Sequence, residues 1–158
     1  MKTAVGITDK NTQAAANDLM LILADEYDLS TKTRNAHCSI NGVEFYEKRK
    51  FFETQFGQLD GVVDSIVERI RSFGHRIPSN LKSFLKHTQL TEMTSEKNDA
   101  SGFIKELLVE HESIIQRMRE KNQHFVIDLR DASTGDFIAK IIEIHEKMAR
   151  FLHSQLQK

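Results

Sequence analysis

Four acidic residues, Glu53, Asp60, Asp64 and Glu68, recur along one stretch of the chain, and Arg49 precedes them. An α-helix advances about 100° per residue, so all five fall within a sector of about 100°. The apolar residues of the same stretch fill the adjoining sector, which places the acids along one edge of the buried face. Carboxylates held in a row beside a core repel one another and lose hydration, so something positive must compensate. A metal cation helped by an imidazole would do so, and so would Lys and Arg side chains of neighbouring helices; the spacing leaves both interpretations open.

The spacing also bears on whether one chain can complete a metal site. Arg49 and Glu53 form one i,i+4 pair, and Asp64 and Glu68 form another. The centres of the two pairs are about 22 Å apart at a rise of about 1.5 Å per residue, so one ion cannot contact both in the same chain. Two copies of the helix that cross antiparallel in a two-fold dimer would bring the pairs together at two equivalent sites.

The apolar periodicity that must position these residues predicts four long helices. They are expected over Asp9–His37, Val43–Phe73, Glu96–His124 and from about Ser133 to the end. Thr8 is expected to cap the first of them. The fourth begins with an S-x-x-D pattern, Ser133 and Asp136, which predicts a capping box.

The connections between the helices predict the topology. Asn41-Gly42 marks a short turn after the first helix, Gly74 ends the second, and the last connection is also short. Between the second and third helices lie about twenty residues that include a short helix, LKSFLKH. Two short loops and one long crossover are typical of a ferritin-like four-helix bundle, so we predict an all-α fold with a single domain over residues 1–158.

Composition and charge exclude several classes of protein. The net charge is −1, the chain has no lysine-rich tail, and DNA binding is therefore expected to be weak or absent. The longest apolar run, Leu19–Ala24, is too short to span a membrane, and the first residues do not resemble a signal peptide. The single cysteine, Cys38, cannot form an internal disulfide and is expected to be a packing residue. These absences favour a cytoplasmic protein without a membrane partner.

The segments TRNAHCSINGVEFYEKRKFFE and LDGVVDSIVERIRSFG resemble the central motif of the Dps family, the mini-ferritins. The last helix, STGDFIAKIIEIHEKMARFLHSQL, also resembles that of the family. The resemblance implies a homo-dodecameric cage that binds iron, oxidises Fe(II) at sites on the two-fold dimer interfaces, usually with hydrogen peroxide, and stores ferric mineral. It therefore implies iron as the metal and protection against oxidative stress as the role.

The resemblance carries the family's metal ligands to His37, Glu53, Asp64 and Glu68, the last two supplied across the dimer interface. The position of the second ligand histidine is occupied by Arg49, and the tryptophan positions by Cys38 and Arg150. Two hypotheses follow, a ferroxidase weakened by the arginine and a non-enzymatic or DNA-protecting shell whose metal site is closed.

Two further sets of residues complete the sequence-based expectations. The resemblance implies that acids near the last connection line iron pores, and the candidates are Asp136, Asp131 and Asp128. The remaining helical histidines lie in no ligand motif and are expected to pack in the core or on the surface: His111, His145 and His153.

Overall fold

The computed structural model describes residues 6–43, 45–77, 80–90 and 99–157, with the side chain of Leu81 left aside. Five α-helices are present in these residues: α1 (Asp9–Ser39), α2 (Phe45–Ser72), α3 (Leu81–His87), α4 (Ala100–Gln123) and α5 (Ala132–Leu156). A π-helical turn, His124–Asp128, continues α4. No strand occurs in the part of the chain that is described, and the predicted all-α ferritin-like four-helix bundle is confirmed.

A capping side chain and two glycines that can be recognised in the sequence lie at the ends of α1 and α2. Thr8 caps α1 by accepting a hydrogen bond from the Asn11 N–H at 3.3 Å, as predicted. After α1 the chain turns at Gly42, whose φ of 117° is open to glycine but strained for other residues, and α2 is followed by Gly74 at φ 82°.

Two predicted helix ends differ from the structure by a few residues. α1 continues to Ser39, so His37 lies inside its last turn rather than at its end, and α2 begins at Phe45 rather than Val43. The predicted start of the third long helix near Glu96 lies outside the described residues. Within them α4 begins at Ala100, after Asp99 accepts the Gly102 N–H at 2.6 Å.

The predicted capping box of the last helix is wrong. α5 begins at Ala132, and its cap is Asp131, whose carboxylate accepts the Thr134 N–H at 3.0 Å. The Thr134 hydroxyl also donates to this carboxylate. Ser133 and Asp136 are exposed and already inside the helix. Because the helix begins two residues before the predicted cap could act, Asp131 satisfies the first-turn Thr134 N–H and takes the role that the S-x-x-D pattern assigned to Ser133.

The four long helices bury one continuous core, with α2 packed on α1 and α5 packed on α4. Its largest fully buried side chains include Phe52, Leu59 and Ile66 of α2, as the apolar stripe predicts. Phe45 at the start of that stripe is instead exposed. None of the described helices is long and apolar enough to cross a membrane.

The crossover helix α3 packs against α1, where the rings of Tyr27 and Phe84 lie with centroids 4.5 Å apart. The segment after α3 is held by Asp25 of α1, which accepts hydrogen bonds from the Thr88 hydroxyl at 2.9 Å and the Gln89 N–H at 2.8 Å. Arg117 of α4 donates to the other Asp25 oxygen at 3.1 Å. Asp25 therefore holds the crossover and α4 against the same part of α1.

Candidate metal centre

The acids on the edge of α2 divide into two groups by the partners they have. Asp60 belongs to the first group: it forms an ion pair with Arg34 of α1 and accepts the Ser30 hydroxyl at 2.9 Å. Glu53 also has a partner, because Lys50 of the same helix lies 3.2 Å from its carboxylate. For these two acids the compensating charge is a basic side chain of the same chain.

Asp64 and Glu68 form the second group. Both are exposed one helical turn apart on α2, and neither makes a hydrogen bond or ion pair with any residue that the structure describes. Their i,i+4 spacing places the two carboxylates next to each other on the helix surface. Two like charges at this spacing destabilise the helix unless a cation neutralises them. They are therefore the acids of the row that lack a compensating charge among the described residues.

His37 lies half-buried in the last turn of α1, where its ring packs edge-on against Phe56 of α2 with centroids 5.3 Å apart. Arg49, one turn before Glu53, donates its Nε–H to His37 Nε2 at 3.2 Å. The His37 Nδ1 atom faces Cys38 Sγ at 3.7 Å. Because Nε2 accepts the hydrogen bond, the ring proton of neutral His37 must lie on Nδ1.

The position of Arg49 determines what His37 can bind. A metal takes the lone pair of a neutral imidazole nitrogen, and the Nε2 lone pair is already directed at the Arg49 N–H. The pKa of His37 is lowered from 6.5, first by burial and then by the Arg49 charge, while Glu53 opposes the shift. The ring is therefore neutral near pH 7 and chemically able to bind a metal, but Arg49 must move away before Nε2 can do so.

Residues that could bind a metal are thus present but do not converge in a single chain. Among the described residues no group of three His, Cys, Asp or Glu side chains is placed to hold a metal ion. His37 and Glu53 lie near one end of the α1–α2 pair, whereas Asp64 and Glu68 lie several helical turns further along α2. Any site that uses all four needs a second copy of the chain.

The three candidate pore acids lie in different environments. Asp128 and Asp136 are exposed, and Asp128 forms a hydrogen bond with the His124 ring at 2.6 Å. Asp131 is 1% exposed; besides capping α5, it lies 3.5 Å from an Arg69 guanidinium nitrogen. Its carboxylate is therefore committed to the fold of its own subunit.

The structure also brings together a set of polar residues that the sequence reading did not connect. Glu26 of α1, His111 of α4 and His145 of α5 are completely buried in the middle of the bundle, whereas His153 is exposed. A signal was present, since His111 lies between the buried Leu107 and Ile114 at helical spacing. Such spacing shows that a residue faces the core but does not show which residue of another helix it meets.

The fold and its connections define the class of protein. A ferritin-like domain family model matches residues 16–158, and the chain belongs to this family. Within the class, the predicted Dps-type mini-ferritin is confirmed. The fold is shared with the Dps of Vibrio cholerae O1, described as a member of a superfamily of ferritin-like diiron-carboxylate proteins. That structure has a TM-score of 0.90 and 24% identity, over 99% of this chain and 97% of the other.

The chain is also similar to other proteins over most of its length. The DpsC of Streptomyces coelicolor aligns with a TM-score of 0.93 at 18% identity, over 100% of this chain and 92% of the other. An uncharacterized low temperature-induced protein of Nostoc sp. is 29% identical over 153 residues, which are 97% of this chain and 86% of the relative. The DNA protection during starvation protein 2 of Bacillus anthracis is 24% identical over 136 residues, 86% of this chain and 92% of the relative.

Proposed function

We propose that this chain is the subunit of an iron-storing, Dps-type dodecameric cage that binds Fe(II) between two subunits. In this proposal His37 and Glu53 of one subunit face Asp64 and Glu68 of the partner subunit across a two-fold axis. The ferritin-like family supports iron as the metal, and oxygen and imidazole ligands suit Fe(II).

The observation that carries the proposal is the unequal pairing of the acids on α2. Asp60 and Glu53 are matched by basic side chains of their own chain, whereas Asp64 and Glu68 have no such partner among the residues that the structure describes. Two adjacent carboxylates at a subunit interface would lose hydration and repel each other unless a cation bound between the subunits. An antiparallel two-fold contact between α2 helices brings that cation within reach of the His37 end of the partner.

The proposed chemistry is oxidation of Fe(II) at the two-fold site before the iron is stored. Two Fe(II) ions would each give one electron to hydrogen peroxide, which yields two Fe(III) ions and two hydroxide ions. The chain supplies ligands that hold the iron, and the neutral His37 ring is in the protonation state that binding requires. Asp128 and Asp136, which are exposed, are the candidates for lining a passage that attracts Fe(II) to the interior.

The contact between Arg49 and His37 supports a second candidate function. A hydrogen bond to Nε2 and a permanent positive charge beside it both oppose the binding of a dication. If the contact persists in the assembled cage, the protein is a non-enzymatic shell. Such a shell would store iron or protect DNA without oxidising iron at this site. The two candidates share the fold and the assembly and differ in whether the two-fold site binds Fe(II).

The test replaces the unpaired acids by their neutral isosteres, Asp64→Asn with Glu68→Gln. Anaerobic calorimetry with Fe(II) should show that this double variant loses the specific sites of the wild type. Sedimentation should show that the cage persists, because the neutral isosteres keep the shape of both side chains and remove the repulsion between two adjacent carboxylates. A control variant, Glu112→Gln with Glu120→Gln, removes two charges from the exposed face of α4 and should bind Fe(II) as the wild type does.

The outcomes separate the hypotheses. Wild-type stoichiometry in an intact Asp64→Asn, Glu68→Gln cage would mean that the metal lies elsewhere. A wild-type protein that binds no more Fe(II) than the double variant, and oxidises none above a protein-free blank, would support the closed shell.

A further inference from the structure

The middle of the bundle contains three ionisable side chains with no exposed surface, Glu26, His111 and His145, which we call the buried triad. His111 Nδ1 and His145 Nδ1 are 2.9 Å apart and form a hydrogen bond. His145 Nε2 lies 2.8 Å from Glu26 Oε1, a distance suited to an ion pair although its alignment is poor for a hydrogen bond. Neither Glu26 oxygen has a hydrogen-bond partner among the described residues, and His111 Nε2 has none either.

The three groups form a chain rather than a converging ligand set. His145 lies in the centre and uses its two nitrogens in different directions, one toward Glu26 and one toward His111. A single metal ion could not take donors from all three without rotating the rings, which agrees with the absence of a three-residue metal group in the described residues. The three side chains can instead share a proton along the chain from Glu26 through His145 to His111.

The Nδ1–Nδ1 hydrogen bond limits how many protons the pair of rings can carry. One Nδ1 must donate and the other must accept, so at least one of the two rings must be neutral. Protonation of both rings would direct two N–H groups at each other across 2.9 Å and place two positive charges side by side. Because Glu26 lies beside His145, a positive charge in the pair is best placed there, which leaves His111 as the neutral ring.

The other buried charges on the packed helices have partners of their own. Lys32 of α1 is paired with Asp28 and with Glu110 of α4, at 3.1 and 2.7 Å. Asp25 of α1 is paired with Arg117 of α4, as described above. On α2 the buried charge is Lys48, which donates a hydrogen bond to Gln155 of α5. Apart from His145, α5 has no buried side chain that can carry a charge.

We propose that the buried triad is an acid-sensitive switch: His111 stays neutral while it is hydrogen-bonded to a charged His145, and acid favours an open contact between α4 and α5 in which both rings can be charged. The switch acts on the core of each subunit and is independent of the metal centre proposed above. His111 takes up this proton only when the contact opens, and the uptake favours the open form at mildly acidic pH, the range in which an accessible histidine becomes charged.

The direction of the effect follows from proton linkage. Burial and then the His145 charge hold the pKa of His111 well below 6.5, whereas His111 of the unfolded chain titrates near its ordinary value. Below that ordinary value His111 binds about one more proton in the unfolded chain than in the folded chain, so its contribution to stability falls as the pH falls. One proton of difference makes the unfolding equilibrium constant rise about tenfold per pH unit.

The test compares urea unfolding of the wild type with that of His111→Gln from about pH 8 to pH 5, at one fixed protein concentration. Glutamine can still hydrogen-bond to His145 but does not titrate. We expect the equilibrium constant of the wild type to rise about tenfold more per pH unit below about pH 6.5 than that of the variant. The control is His153→Gln, which removes an exposed histidine and should leave the wild-type slope unchanged.

A second measurement needs no variant. Hydrogen–deuterium exchange at the imidazole Cε1 carbon, read by mass spectrometry of the peptide that contains His111, reports the charge of that ring in the folded wild type. The ring should stay neutral at about pH 5.5, where an ordinary histidine is mostly charged. Parallel pH slopes in wild type and His111→Gln, an ordinary titration of His111, or a stoichiometric transition metal lost in His111→Gln would each overturn the proposal.

Discussion

Replacing Arg49 by histidine tests the part of the proposed site that departs from the family. Arg49 donates to His37 Nε2 at 3.2 Å and lies over the Phe45 ring, with its guanidinium carbon 5.5 Å from the ring centroid. Arg49→His removes the permanent charge and supplies a second imidazole one turn before Glu53. Arg49→Leu removes the charge and the donor without adding a ligand.

Two free-energy costs determine how much Arg49 weakens Fe(II) binding: the loss of its hydrogen bond to His37 and its repulsion of the metal ion. Breaking the Arg49–His37 hydrogen bond costs about 1 kcal/mol net, the usual value for such a bond. A dication bound to Nε2 would lie about 5 Å from the guanidinium charge, a repulsion of at least about 1.7 kcal/mol, the value at the dielectric constant of water. The sum is about 2.7 kcal/mol, or roughly a hundredfold in affinity. Arg49→Leu should therefore bind Fe(II) about 10- to 100-fold more tightly, and Arg49→His more tightly again.

The assay has two readings. Anaerobic calorimetry with Fe(II) gives the affinity, and the growth of ferric absorbance after addition of hydrogen peroxide gives the oxidation rate at low iron. Arg71→His serves as the control, because it makes the same replacement at an exposed position near the end of the same helix. It should leave both readings unchanged.

Two results would refute the reasoning about Arg49. If neither Arg49→His nor Arg49→Leu changes the affinity, the arginine does not compete with the metal in the assembled protein. If Arg49→Leu binds as weakly as wild type while Arg49→His binds tightly, the missing ligand matters and the positive charge does not.

Two predictions concern stability at the junction of α4 and α5 and are measured by thermal or urea unfolding. A Cβ added at Gly135 would clash with Val126 Cγ2 in the π-helical turn, so Gly135→Ala should destabilise by about 1–3 kcal/mol. Gly61→Ala, where nothing lies within 4 Å, should stabilise by about 0.5–1 kcal/mol, and equal effects at both positions would contradict the packing argument. Asp131→Ala removes the α5 cap and its ion pair and should cost about 2 kcal/mol, against less than about 0.5 kcal/mol for the exposed Asp136→Ala. A small loss at Asp131 would show that another group satisfies the first turn of α5.

The helices and their order could be predicted from the sequence because local rules determine them. An apolar stripe at helical spacing, a Thr8 cap and two glycines that require positive φ are each readable without knowledge of the rest of the chain. The last cap was misassigned because two acceptors, Asp131 and Ser133, lie within one turn of each other. Which of them ends up as the cap depends on tertiary contacts, here the ion pair between Asp131 and Arg69 of α2.

The pairing of side chains across helices could not be predicted in the same way. The sequence gives the helix face on which Arg49 lies, but a helix wheel does not show that its Nε–H meets His37 of α1. It also does not distinguish the paired Asp60 from the unpaired Asp64, because both lie on the same edge of α2. That distinction needs the position of Arg34 on the neighbouring helix, and it is the distinction on which the proposed metal centre rests.

The two polar systems of the subunit lie on different parts of the fold. The proposed metal ligands lie in the last turn of α1 and on the outer surface of α2, where charges stay partly hydrated and a second copy can reach them. The buried triad joins α1, α4 and α5, and α2 contributes none of its members. Because residues without shared contacts act nearly additively, iron binding and acid sensitivity should respond to separate substitutions. The failure of one proposal therefore leaves the other standing: a cage that binds no iron at its two-fold axes would still contain two histidines that cannot both be charged.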